Sequence, residues 1–261
     1  MTAVEDELEF LLRSGNRTEL LVALAESQPL DRYDLERRLD ASRRTVTRAL
    51  DALTERGYIR EVEGEYVLSA FGASLAEAYR DCRRDVELAS EYRPFLERVD
   101  TRTLDLDPSL LDGADLLLAS ERSPFVLLTR TLELRAEASR IREIAPGVEK
   151  RSVEQLAERL RNGEDLEVEV VLPATALEAA EGTDAFSAGH AVAREADAVD
   201  FYVADDEFSV FVGVMDETVT VGAGTGGEPE VMVESDRPAL REWAETHLDG
   251  VRDAATPLSE Y

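Results

Sequence analysis

From the first residues, apolar positions recur at spacings of three and four. Val4, Leu8, Leu11 and Leu12 predict a helix over 4–12, and Leu20, Leu21 and Leu24 a second over 18–25, with Gly15-Asn16 as punctuation. Pro29 breaks the chain, Asp31 offers a cap, and Tyr33, Leu35 and Leu39 predict a short amphipathic helix ending at Asp40-Ala41. Over 42–57, Val46, Leu50 and Leu53 share one helical face, while Arg44, Thr45, Thr47 and Arg48 share the opposite one. Ser42 can cap this helix by accepting a backbone N–H, and Gly57 can close it because glycine tolerates the left-handed turn. The period then drops to two. Residues 58–62 and 66–68 read as strands joined by Glu63-Gly64-Glu65, a hairpin turn. Helices about a tight turn followed by a hairpin make a winged helix-turn-helix.

Residues 70–91 read as one long helix that ends at or before Arg93 because of Pro94. Leu75, Tyr79, Cys82, Val86 and Ala89, spaced four, three, four and three, form a heptad seam and are the candidate dimerisation contacts. The alternative is that the stripe packs on its own domain. A dimer is favoured because a helix-turn-helix reader gains affinity from two half-sites related by two-fold symmetry. Cys82 on that seam is read as a small buried hydrophobe, the competing reading being a redox-responsive interchain disulfide.

Beyond Thr101 the pattern is mixed. Strands are predicted over 116–119, 140–144, 166–172, 199–203, 208–215, 218–221 and 230–233. Helices are predicted over 125–137, 153–161, 174–180 and 239–251, with a weaker stretch around 186–195. The expected fold class is α+β: a winged helix-turn-helix domain over 1–72, a linker or dimerisation helix over 73–99, and a mixed α/β domain over 100–261.

Charge changes the picture. Lys+Arg number 29 against 57 Asp+Glu, a net charge of −28, and Lys150 is the single lysine. Such a balance ordinarily opposes nucleic-acid binding, which depends on cationic contacts with phosphate. In molar salt, however, the screening length shrinks to about 3 Å, so an acidic surface is tolerated. The acid-rich, lysine-poor, arginine-retaining composition resembles that of a cytoplasmic protein of a halophilic archaeon. Against this background residues 32–60 carry eight Arg and five Asp+Glu, a local excess of three positive charges. That local sign favours DNA.

The chemistry points the same way. A helix fits the major groove, and Arg, Ser and Thr on its first turns can reach base edges and phosphates. The stretch SRRTVTRALDALTERGYIREVEGEYVLSAFG, residues 42–72, resembles the winged-helix domains of archaeal and bacterial transcription regulators. The resemblance covers about 5–72 and implies that Arg43, Arg44, Thr45, Thr47 and Arg48 contact double-stranded DNA, with Ser42 able to reach phosphate. The wing departs from that pattern, because its tip carries Glu61, Glu63 and Glu65 where basic residues are usual.

The second half offers little chemistry. One cysteine and two histidines, His190 and His247, give no metal-ligand cluster, and no cofactor is expected. His190 is read as a surface or ligand-contacting residue, and Trp243 as core. Gly222-Ala223-Gly224-Thr225-Gly226-Gly227 is followed by Glu228-Pro229 where a phosphate site needs a helix, so it reads as a turn. Ala114-Asp115-Leu116-Leu117-Leu118-Ala119, residues 166–173, Phe201-Tyr202-Val203-Ala204-Asp205-Asp206 and Arg241-Glu242-Trp243-Ala244 are similar to the regulatory domain of archaeal methanogenesis-type (Fil-type) regulators. The related sugar-responsive TrmB-like regulators carry a domain like one half of phospholipase D. Phospholipase D chemistry needs His-x-Lys, which this sequence lacks, so the resemblance implies a non-catalytic sensor and dimerisation module. Ser120, Arg122, Pro146, Pro173, Asp205 and Asp206, where strands give way to irregular backbone, are the candidate ligand-facing positions.

The expectation is a homodimeric, cytoplasmic transcription regulator that reads duplex DNA and responds to a small-molecule effector or a partner, with no membrane segment. Two other classes are weighed against it: a DNA-tethered enzyme, and a helix-turn-helix used as a protein-interaction scaffold.

Overall fold

The computed structural model describes residues 2–102, 104–181, 183, 186–189, 191–192, 199–225 and 228–261. The chain forms two compact units, Met1–Glu87 and Leu88–Tyr261. Their boundary falls inside a helix, within the segment that the sequence sets apart as a linker.

The first unit starts with α1 (Ala3–Leu12), whose N-terminus is closed by a capping box. Thr2 Oγ1 accepts the Glu5 N–H at 3.3 Å, and the Glu5 carboxylate accepts the Thr2 N–H at 2.7 Å. The helix forms where the period predicts it, yet of the four apolar residues that define it Leu11 alone is buried. Val4, Leu8 and Leu12 lie on the exposed side. Next comes α2 (Gly15–Glu26), which includes Gly15 and Asn16 in its first turn; the punctuation expected there is a helix start. Then follow β1 (Leu30–Asp31), α3 (Arg32–Leu39), α4 (Arg43–Glu55), β2 (Ile59–Val62) and β3 (Glu65–Leu68). The small sheet runs β1-β3-β2, both pairs antiparallel. Leu20, Leu21, Leu24, Leu35, Val46, Leu50, Leu53, Tyr58 and Ile59 form the core.

The long helix α5 (Ala70–Glu91) begins in the first unit and ends in the second. Ala76 and Leu88 on it are buried, and every residue from 80 to 87 is exposed. Cys82 is therefore not the buried hydrophobe expected from its place on the seam.

The second unit continues with α6 (Arg93–Leu96), a 3-10 turn (Pro108–Leu111), β4 (Asp115–Leu118), α7 (Val126–Glu137), β5 (Arg140–Ile144), α8 (Lys150–Arg161), β6 (Glu167–Pro173) and α9 (Ala174–Glu181). It closes with β7 (Val199–Ala204), β8 (Val210–Met215), β9 (Thr218–Thr225), β10 (Glu228–Ser235), α10 (Pro238–Ala254) and β11 (Thr256–Pro257). The eight strands form one mixed sheet in the order β11-β7-β6-β5-β8-β9-β10-β4. Within it β5, β6 and β7 pair in parallel and the remaining pairs are antiparallel.

Strand alternation gives the sheet two apolar faces. Ile144, Val171, Val212, Val214, Val221 and Val233 point towards α10, where they meet Leu240, Ala244 and Leu248. Ile141, Val168, Val170, Leu172 and Met215 form the opposite face with Leu134, Leu156 and Leu160 from α7 and α8. The result is helix on sheet on helix, so both faces are dry. One sequence expectation is corrected here. Gly222 to Thr225 belong to β9, not to a turn, because Ala223 packs inward and Gly222 makes room for Phe211 and Pro229. Residues 186–189 and 191–192 of the weak helix are helical; His190, residues 193–195 and the Gly226-Gly227 end of the glycine stretch lie outside the described residues.

Candidate functional site

Helix α4 is fixed at both ends by local chemistry. At the start of α4, Ser42 Oγ accepts the Thr45 N–H at 3.3 Å and lies 2.9 Å from Thr45 Oγ1. At its end the Gly57 N–H reaches Thr54 O at 3.0 Å and the Tyr58 N–H reaches Leu53 O at 2.9 Å, with Gly57 at φ +76°. These are the paired bonds of a Schellman closure. Before it, Asp31 caps α3 by accepting from the Asp34 N–H at 2.8 Å, and Asp40 turns the chain at φ +45°.

Val46, Ala49, Leu50 and Leu53 anchor the inner side of α4. Ser42, Arg43, Arg44 and Arg48 are exposed and Thr45 and Thr47 half-buried, so all six sequence candidates share the outer side. Arg43 Nε stands 3.9 Å from Glu36, at the limit of an ion pair. Among the described residues Arg44 and Arg48 have neither a hydrogen bond nor an ion pair. Other arginines of the basic segment are committed to the fold. Arg56 binds Asp6 at 2.9 Å and covers the Phe10 ring at 4.2 Å, Arg32 reaches the Tyr66 hydroxyl at 3.3 Å, and Arg38 reaches Ser27 Oγ at 2.9 Å. Burial, with a hydrogen bond to Glu7, pushes the Tyr58 phenol up and keeps it protonated beside Arg56. The wing turn is two residues, Glu63 at φ +54° and Gly64 at φ +88°, and Glu61, Glu63 and Glu65 are all exposed.

The seam residues do not share one environment. Leu75 and Tyr79 are half-buried, and Leu75 packs on the first unit's core; Cys82, Val86 and Ala89 are exposed.

The six candidate ligand-facing residues are not brought together. Ser120 and Arg122 are exposed beyond β4 at one edge of the sheet, and Asp205 and Asp206 are exposed beyond β7, six strands away. At strand spacing that separation is roughly 29 Å. Pro173 is buried at the end of β6. Pro146 is half-buried and lines a cavity between the sheet and helices α7 and α8. The strand-end rule describes parallel sheets, and here it applies to β5, β6 and β7 alone.

That cavity carries a group missed from the sequence. Arg135 of α7 and Glu143 of β5 stand in its wall, 4% and 5% exposed, with Arg135 Nε 3.1 Å from Glu143 Oε2 and Nη2 2.5 Å from Oε1. The signal was available in Arg140-Ile141-Arg142-Glu143-Ile144. Successive strand residues face opposite sides, so in a sheet covered on both sides Arg142 and Glu143 each need a buried partner. Of the two histidines, His247 stacks on Trp243 at 5.4 Å, and burial holds its pKa down. Trp243 is half-buried beside it and donates to Asp105 O at 2.7 Å. Among the described residues no group of His, Cys, Asp and Glu is arranged to hold a metal ion, and no helix is long and apolar enough to cross a membrane.

Comparison with known families adds to this geometry. The HVO_A0261 N-terminal domain matches residues 5–91, covering the winged helix-turn-helix and α5. The middle domain of methanogenesis regulatory protein FilR1 matches residues 124–254, half of the chain. The chain belongs to the FilR1 regulator family. Its FilR1 region spans β5 to β10 together with α7, α8, α9 and α10, and so holds most of the core on each face of the sheet. No curated protein matches the chain. Among solved structures, TrmBL2, an archaeal chromatin protein with a novel mode of DNA binding, is 14% identical and covers 97% of this chain and 99% of its own, with a TM-score of 0.44. The adhesin competence repressor of Streptococcus pyogenes is 16% identical, with 42% and 94% covered and a TM-score of 0.28. The S-adenosylmethionine-dependent methyltransferase SibL is 18% identical, with 75% and 61% covered and a TM-score of 0.25.

Proposed function

We propose that this FilR1-family chain is a cytoplasmic DNA-binding transcription regulator that works as a homodimer, reads duplex DNA with α4, and responds to a signal received by its α/β unit. The carrying observation is the outer side of α4. Arg44 and Arg48 are exposed, are without a partner among the described residues, and stand on a helix whose other side is locked into the core. Such donors can reach guanine edges and phosphates without first breaking an internal bond. Ser42 serves mainly as the helix cap, which leaves Arg43, Arg44, Thr47 and Arg48 as the direct contacts, with Thr45 partly engaged by Ser42. Reading by a pair of heads fits the exposed Cys82, Val86 and Ala89 stripe of α5, on which a second copy would bury its own stripe. The sensing role of the second unit rests on the FilR1 match and on its cavity.

Replacing Arg44 and Arg48 together by alanine tests this. Binding sites selected from random duplexes by the wild-type protein in molar KCl should lose at least tenfold in affinity for the variant, read by fluorescence anisotropy, since each good arginine contact contributes about 1–3 kcal/mol. Unchanged affinity in the folded variant removes α4 as the reader and favours a protein-interaction scaffold. Light scattering on the eluting wild-type peak should give twice the chain mass; a monomer at micromolar concentration removes the α5 seam.

A further inference from the structure

The cavity of the second unit has a volume of about 350 Å³. An engineered apolar cavity of ~150 Å³ already accepts benzene, so this space is ample for a small organic molecule. Its floor is the sheet face turned towards α7 and α8. Leu128, Leu156, Leu172, Phe201, Phe211 and Met232 line it, and Gly222 keeps the floor low between Phe211 and Pro229. Phe125, also part of the lining, is 66% exposed, so an apolar ring stands where the cavity meets solvent.

Among the polar residues of this lining, Thr131, Glu149, Ser152 and the Arg135–Glu143 pair, the pair is buried and charged. The Arg135 guanidinium is bound to Glu143 through Nε and Nη2, while its Nη1 is buried and has no hydrogen-bond partner among the described residues. A buried N–H without an acceptor is costly and uncommon. The Thr131 hydroxyl, which donates to Leu127 O at 3.0 Å, is not bonded to it. The charge of the buried pair is already balanced, and Glu149 adds a further carboxylate to the lining. A ligand anion would place a second negative charge beside Glu143 in apolar surroundings, whereas a neutral carbonyl, ether or hydroxyl oxygen would meet the free N–H without that penalty.

We propose that this cavity is a binding site for a neutral, largely apolar small molecule with one hydrogen-bond acceptor, held by the apolar walls and oriented by Arg135 Nη1. The assignment gives the sensing role of the second unit a ligand class and rests on that reading. Glu143 positions the guanidinium and cancels its charge, so the site selects for an oxygen atom and against a carboxylate.

The experiment uses the full chain in 2 M KCl and three probes of similar size: acetophenone, isopropylbenzene and benzoate. Calorimetry should show the two neutral probes binding, with benzoate weaker than acetophenone. In the Arg135→Leu/Glu143→Leu variant, which removes both charges together, acetophenone should weaken roughly tenfold, the worth of one hydrogen bond, while isopropylbenzene changes less than twofold. Leu128→Trp, which fills the space without touching the ion pair, should abolish both. The site is overturned if neither neutral probe binds, if Leu128→Trp binds acetophenone as the wild type does, or if benzoate binds tighter than acetophenone. Acetophenone binding that is unaffected in the double variant overturns the role of Arg135. DNA anisotropy at saturating acetophenone separates this from the sensing role: bound probe with unmoved DNA affinity overturns the coupling and leaves the site standing.

Discussion

At the scale of single residues, the most constrained position in the first unit lies outside α4. Gly72, in the first turn of α5, packs so closely on the turn after α4 that a Cβ there would lie 1.9 Å from the Tyr58 carbonyl oxygen and 2.8 Å from its carbon. Both atoms are backbone, so neither can rotate away. The same carbonyl accepts the Ser69 N–H at 2.9 Å, and Ser69 Oγ donates to Gly57 O at 2.6 Å while accepting the Gly72 N–H at 3.0 Å. The turn after α4 and the first turn of α5 therefore meet at one hydroxyl. Gly72→Ala should displace α5 from the Gly57–Tyr58 turn and destabilise the first unit by about 1–3 kcal/mol, the cost of overpacking a rigid site. Urea unfolding followed by far-ultraviolet circular dichroism reads this directly, and a midpoint within error of the wild type would falsify the contact. Because Tyr58 follows the closing turn of α4, the variant should also lose DNA affinity without losing any DNA contact.

At the scale of elements, α10 is held to the sheet by charge as well as by Leu240, Ala244 and Leu248. Arg142 on β5 binds Glu169 at 2.6 Å and Asp249 at 2.7 Å, and also reaches Glu245. Burial works against the Arg142 charge, but the bonds from Asp249, Glu169 and Glu245 outweigh it and raise its pKa; the same bond from Arg142 lowers that of Asp249. A carboxylate with a lowered pKa stabilises the fold fully above its unfolded value near 4, and the stability is lost as pH falls through the lowered one. Arg142→Gln should cost about 3 kcal/mol at pH 7, because it strands carboxylates against a buried strand. The gap to the wild type should begin to shrink below about pH 4, as the pH falls towards the lowered Asp249 value. Urea midpoints at pH 7 and pH 3.5 decide it, and an equal gap at both would contradict the network. The legibility of such elements followed how local their causes are. The faces and caps of α4 could be read because Ser42, Gly57 and Val46-Leu50-Leu53 act within one helix. The two residues of β1 could not, since their pairing with Tyr66 and Glu65 is set by distant chain. Periodicity placed α1 but could not say that Val4, Leu8 and Leu12 would face outward. The Arg135–Glu143 pair joins α7 to β5 and became visible only when both faces of the sheet were seen to be covered.

At the scale of the whole molecule, a net charge of −28 surrounds a small cationic reading surface. In dilute buffer the screening length at 0.1 M is about 10 Å, long enough for acidic groups on the wing to repel the phosphates that α4 approaches. Glu61, Glu63 and Glu65 are all exposed on that hairpin. An ordinary basic reader releases cations on binding, so its affinity falls steeply with salt, by a logarithmic slope of about −0.9 per phosphate neutralised. On the proposed reading, cations taken up between wing and phosphate oppose the release at Arg43, Arg44 and Arg48. The expected result is an affinity that is flat or rising from 0.2 to 2 M KCl. Converting the three wing glutamates to glutamine removes the uptake and keeps the fold, because each side chain points to solvent. That variant should bind more tightly than the wild type at low salt and regain a negative slope. Anisotropy titrations of both proteins on one selected duplex provide the comparison. If the wild type already loses affinity steeply with salt, the wing stays off the DNA and α4 behaves as an isolated basic patch. If both slopes are flat, the cations are taken up elsewhere on the acidic surface. A wing that sets the sign of the slope would make ionic strength itself a condition for binding: α4 would engage DNA firmly only in concentrated salt, the medium in which so acidic a chain is also relieved of its own repulsion.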